Sequence, residues 1–168
     1  GSSWESSTRD AVAGALVNEG LSLARQGRPE DAIATTDEAV KRFGDAPRLH
    51  LRVQVARALR NKAIWLQELD RSEEAVAICD EVVTRFGRAK ESELRAVVAK
   101  ALANKAAALN RLDRHSDETA VYDEIIARFG DAKDAEIKPL VASALTGKAA
   151  LLDGQGGDAD GAETYYKR

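Results

Sequence analysis

The chain has 168 residues, 44% hydrophobic, 32% charged and 5% aromatic, with 25 basic against 28 acidic side chains and a net charge of −3. That is the length of one ordinary domain, and no stretch approaches the roughly 20 uninterrupted apolar residues that a membrane span needs. The near-neutral balance, without a basic patch or a polybasic amphipathic segment, argues against nucleic acid or a membrane surface as partner. The single Cys79 excludes an internal disulfide. With no visible signal peptide the expected compartment is cytoplasmic, and the Gly1-Ser2 start with no methionine suggests a piece of a longer protein.

A repeat organises everything that follows. Phe43-Gly44, Phe86-Gly87 and Phe129-Gly130 recur every 43 residues, as do Ala15-Leu16, Ala58-Leu59, Ala101-Leu102 and Ala144-Leu145. The units are about 8–46, 47–89, 90–132 and 133–168. Each reads as two helices. The first unit predicts helices near 8–26 and 29–43. In the second, Leu49, Val53, Ala56, Leu59, Ala63 and Leu66 step by three or four residues and define one apolar stripe. Leu51, Val55, Ala58, Lys62, Trp65 and Leu69 define a second beside it, so the helix over 47–69 must bury two sides. Pro47 is expected in its first turn, where a missing N–H costs nothing. Asp70 or Ser72 is the expected cap of the next helix, with Glu73 in capping-box spacing after Asp70. Gly87 is expected to close that helix in the left-handed conformation, and Arg85 suits its negative end. The third unit repeats this over 90–112 and 115–129. The fourth predicts 139–153, with Pro139 starting or kinking the helix, then a glycine-rich turn and a helix over 158–167.

These units resemble the tetratricopeptide repeat, whose signature is W-x2-L-G-x2-Y, then A-x3-F, then P. The first unit offers Leu16, Glu19, Gly20, Leu23, Ala32 and Thr36; the second Leu59, Lys62, Ala63, Leu66, Ala75 and Cys79; the third Leu102, Lys105, Ala106, Leu109, Glu118 and Tyr122. The period is 43 residues rather than the family's roughly 34, a charged residue replaces the signature leucine, and Phe-Gly replaces the closing proline. The resemblance implies an all-α fold, a right-handed α-solenoid of four helix-turn-helix repeats, whose first helices line a concave face that binds peptide segments.

Lys62, Lys105 and Lys148 recur inside an apolar stripe, where a bare ammonium is costly. Asp37, Asp80 and Asp123 stand 25 residues before each of them, on the preceding unit, while the first unit carries Glu19 and the last Tyr166 at the matching positions. Three readings are open: a ladder of pairs between units (Asp37 with Lys62, Asp80 with Lys105, Asp123 with Lys148), lysines snorkelling to water along their stems, or an anion site. The expected concave face carries Arg57, Arg60, Asn61 and Ile64 in the second unit and Lys100 and Asn104 in the third. The resemblance places Asn18, Asn61 and Asn104 where an amide bonds a bound peptide backbone. Bonding between neighbouring helices is the equal alternative, and the row ends at Gly147. Val17 and Leu21 stand where a terminal-carboxylate clamp would need lysine and asparagine.

Catalysis finds no constellation. His50 and His115 have no second histidine or cysteine at ligand spacing, and Cys79 reads as a core thiol. No enzyme activity, cofactor or metal is expected. The expected function is a non-catalytic scaffold or recognition module binding a protein or peptide. The rivals are end-to-end self-assembly through apolar ends at Val12, Leu16, Leu151, Leu152, Tyr165 and Tyr166, and a sensor array regulating an attached enzyme.

Overall fold

The structure is a computed structural model describing residues 3–154, which are all-helical, with no strand among them. The helices are α1 (Ser3–Arg25), α2 (Pro29–Phe43), α3 (Leu49–Glu68), α4 (Ser72–Phe86), α5 (Ser92–Arg111), α6 (His115–Phe129) and α7 (Lys138–Gly154). The expected helix over 158–167, with Tyr165 and Tyr166, lies outside the described residues.

The short turn inside each pair comes from one left-handed residue. Gly27, Asp70 and Asp113, 43 apart, have φ of 73°, 58° and 54°. The next N–H in each case, Arg28, Arg71 and Arg114, bonds back to Leu23, Leu66 and Leu109 at 2.8–3.0 Å, closing the preceding helix as a Schellman turn. Asp70 therefore ends α3 instead of capping α4, and Ser72 is already helical and buried. The N-cap is Arg71, with no side-chain cap bond. Its guanidinium reaches forward to Glu74 at 2.6 Å, as Arg28 does to Asp31 and Arg114 to Asp117.

Between pairs the chain behaves differently. Gly87 has φ of −62°, so it does not take the expected left-handed conformation, and its counterparts Gly44 and Gly130, both at −52°, match it. What Gly44 and Gly87 provide is space. A Cβ on Gly44 would lie 2.5 Å from the Val40 carbonyl and 2.8 Å from Arg85 Nη2, and one on Gly87 would meet Val83 and Arg128 as closely. Arg85 Nη2 donates to the Gly44 carbonyl at 2.8 Å, so this arginine serves the end of the preceding unit's helix and not only its own. The Ala46 and Ala89 N–H groups bond the Phe43 and Phe86 carbonyls at 3.0 and 2.9 Å, and the residues just before the next helices, Arg48 and Glu91, are extended. For that reason α3 and α5 start at Leu49 and Ser92, later than expected, and Pro47 stands outside the helix. In contrast α1 starts at Ser3, earlier than expected, because no glycine or proline interrupts residues 3–8. Leu49 remains 39% exposed at the tip of α3.

Each helix packs on the next in the chain, and α3 also packs on α1 and α5, with α5 on α7. One apolar cluster runs from Ala13 to Ala144. Its largest fully buried members include Leu59, Leu66, Leu102 and Leu109, each worth about 1.5–3 kcal/mol of transfer free energy. Small residues set the close crossings. Ala63, Ala106 and Ala149 are at most 2% exposed, and a Cβ on Gly20 would sit 3.2 Å from the Trp65 ring and 3.5 Å from the Ala32 carbonyl.

Candidate functional site

The lysines of the apolar stripe each meet an aspartate of the preceding pair. Lys62 Nζ lies 2.5 Å from Asp37 Oδ1, Lys105 Nζ lies 2.6 Å from Asp80 Oδ1, and Lys148 donates to Asp123. The lysine side chains are 10–19% exposed and the aspartates 52–55%. Burial of the stem and pairing of the head thus occur together: the methylenes line the helix contact while the ammonium meets its carboxylate at the wet rim. Glu19 is exposed.

On another face, α1, α3 and α5 border a groove of about 640 Å³, closed at one side by residues 134–136. Asn18, Arg57, Arg60, Asn61 and Lys100 line it; Asn104 and Ile64 do not. The expected asparagine row is therefore divided. Asn18 is exposed, whereas Asn61 is 5% exposed and accepts from Arg60 Nη2 at 2.7 Å. Asn104 is half-buried, its Nδ2 has no partner, and its backbone carbonyl accepts from Gln67 Nε2 at 3.3 Å. Ile64 is half-buried.

The groove carries its own counter-charge. Lys100 Nζ lies 2.5 Å from Glu136 Oε2. The hydrogen bond and charge of Lys100, then the charges of Arg57 and Arg60, hold the Glu136 carboxyl below the usual carboxylate range. Arg60 sits below the ordinary guanidinium value, because burial and neighbouring Arg57 both disfavour its cation, with Glu136 acting the other way. Sequence reasoning found the cations and missed Glu136. The available signal was Pro139, which fixes where α7 begins.

A second feature was also missed. Glu118, 3% exposed, accepts from Tyr122 Oη at 2.8 Å and Asn110 Nδ2 at 3.2 Å, with His115 Nδ1 at 3.3 Å. Glu118 and Tyr122 border a groove of about 580 Å³ together with Ala103, Ala107 and Gly147. Burial, and then the bond to Glu118 and its charge, push the Tyr122 hydroxyl up to about 12. In the sequence these two residues stood out only as substitutes for a signature alanine and aromatic.

Chemistry elsewhere is sparse. Cys79 is fully buried, and burial, with help from Asp80 and against Lys105, pushes its thiol up to about 12. It is a neutral thiol at physiological pH. His50 is exposed. Among the described residues no group of three His, Cys, Asp or Glu side chains is placed to hold a metal ion, and no helix is long and apolar enough to cross a membrane. Of the expected end residues, Val12, Leu16, Leu151 and Leu152 are half-buried. Compared with known protein families and with curated proteins, the chain matches none.

Proposed function

We propose that the chain is a right-handed α-solenoid of tetratricopeptide-like repeats that works as a non-catalytic recognition module, binding an extended peptide along the groove bordered by α1, α3 and α5. One observation carries the reading: three helices contribute amide and cationic side chains, Asn18, Arg57, Arg60 and Lys100, to a single groove of about 640 Å³ that also holds apolar Val17, Leu21 and Val97. Apolar contacts with a few placed polar groups are what an extended segment needs for affinity and register. The side-by-side packing of α1 on α3 and α3 on α5 supports the solenoid part, since repeats that cannot bury their faces alone stack on their neighbours.

The test is selection of peptides from a random display library on the intact chain, followed by ¹⁵N–¹H shift mapping. Selected peptides are expected to move amides of Asn18, Leu21, Gln54, Arg57 and Val97, and Asn18→Ala with Arg57→Ala should weaken them about tenfold without changing the helical circular dichroism. Shifts confined to other faces, or binding indifferent to both substitutions, would overturn it. Mass that rises with concentration, in place of peptide capture, would favour end-to-end assembly.

A further inference from the structure

In the repeat register α3 begins at Leu49 and α5 at Ser92, which would start α7 at 135; it starts at Lys138 instead. Proline is tolerated in a first helical turn and not deeper, so Pro139 sets this boundary. The residues freed from the helix make a turn in which the Ile137 and Lys138 N–H groups both bond the Asp134 carbonyl at 3.1 Å. Ile137 is fully buried and pins the turn to the core. Its neighbour Glu136 is thereby held at the groove, against Lys100 at 2.5 Å and within the field of Arg57 and Arg60. The equivalent residues of the earlier units, His50 and Glu93, remain on α3 and α5.

Lys100 therefore pairs with a carboxylate from a third element while Arg57 and Arg60 line the same groove, and Arg60 Nε, buried, has no hydrogen-bond partner. Glu93, also at the groove, accepts from Ser92 Oγ at 3.1 Å, and Asp134 adds a further negative charge to the lining. With Arg57, Arg60 and Lys100 set against Glu93, Asp134 and Glu136 the lining has no net charge, which suits a single carboxylate better than a polyanion. The Lys100 and Glu136 side chains are 34% and 66% exposed, so their contact is of the weak, displaceable kind.

We propose that Glu136 is a tethered competitor: it occupies the cation cluster of Arg57, Arg60 and Lys100, and the partner is an extended peptide whose own isolated acidic side chain displaces it. This rests on the peptide-groove reading above and adds to it the chemistry of the partner and a built-in threshold for binding.

The probes are two labelled ten-residue peptides, one with a glutamate flanked by leucines and a twin with glutamine in its place, titrated by ¹⁵N–¹H shifts and fluorescence anisotropy. The glutamate peptide is expected to bind Glu136→Gln, and Glu136→Ala as a second variant, about threefold to fivefold more tightly than the unsubstituted chain, the equivalent of one weak ion pair. The glutamine twin should bind all three equally and more weakly. Arg57→Ala with Arg60→Ala should erase the preference for glutamate. Equal glutamate-peptide affinity with and without Glu136 would overturn the competitor while leaving the groove reading intact. Failure of both probes in Glu136→Gln, with library-selected peptides still moving groove amides, would overturn the acidic partner alone; failure of every peptide would overturn both readings.

Discussion

The contacts of α2 with α3 and of α4 with α5 differ from that of α6 with α7 in the volume of the side chains that meet there. In the first two, the second helix offers Thr36 or Cys79, both buried, and the following helix carries Asn61 or Asn104 at the matching place, 25 residues on. In the third the pair is Tyr122 and Gly147, and a Cβ on Gly147 would lie 2.7 Å from the Tyr122 ring and hydroxyl. The alanine beneath, Ala32 or Ala75, becomes Glu118, which accepts a hydrogen bond from the Tyr122 hydroxyl. One backbone plan thus accommodates a large polar side chain by removing a neighbour's side chain altogether. The repeat dictates where helices cross, and compensating volumes at a crossing decide what chemistry it holds.

The comparison breaks first at its apolar positions. Leu59 and Leu102 are 1% and 0% exposed, whereas the equivalent Leu145 is half-buried. Leu59→Ala and Leu102→Ala should each cost about 2–5 kcal/mol by urea denaturation, and Leu145→Ala less than half as much. An equal loss at Leu145 would mean that it is packed as tightly as Leu59 and Leu102. Gly147→Asn, which installs the residue of the earlier units, should cost about 1–3 kcal/mol through overpacking. Combining it with Tyr122→Cys should recover most of that loss, since residues in contact are coupled. An additive double variant would show that the two positions do not exclude each other.

The legible part of this molecule is periodic. Phe-Gly every 43 residues and the leucine stripes mark the helix pairs, because burial against two neighbours has to be written into each unit. The 25-residue offset of lysine and aspartate is readable because a charge inside an apolar stripe has to be answered. Turn chemistry was less legible. Asp70 fits a cap as well as a left-handed terminator, and only the backbone separates them: φ of 58° marks the terminator. Gly44 and Gly87 could have been left-handed, yet what glycine provides there is room beside the Val40 and Val83 carbonyls and for an arginine of the next unit. Glu136 is not legible from its type or spacing at all. Its position follows from Pro139 and buried Ile137 acting together, which is a property of one turn and not of the repeat.

Alkaline titration sharpens the same contrast. Tyr122 is raised to about 12 from the usual value of about 10, so folding favours its protonated form. That contribution is complete below pH of about 10 and is lost as pH rises toward 12. The unfolding midpoint should therefore fall across this window, and Tyr122→Phe should fall less. Differential absorbance at 295 nm between the two chains should place the Tyr122 transition near the upper end of the window. Cys79, raised to about 12 by burial, loses its contribution over a window that begins lower. Cys79→Ala therefore isolates the tyrosine contribution. A Tyr122 transition near 10 would mean that its hydroxyl meets water and not Glu118.

The smallest effect concerns what the three crossings share. The Lys105–Asp80 pair joins a sheltered ammonium to a carboxylate that is half in water, so its coupling belongs with exposed pairs, about 0.2–1 kcal/mol. A double-mutant cycle with Asp80→Asn and Lys105→Met should give a value in that range, reduced by salt. Lys105→Met alone should be near neutral, because the apolar stem already packs and the thioether preserves it. A coupling several times larger would show that the pair is effectively buried and that the unit junctions depend on charge. A value of zero, with stability unchanged by salt, would leave the stem as the reason for lysine and make the aspartate a bystander at all three crossings.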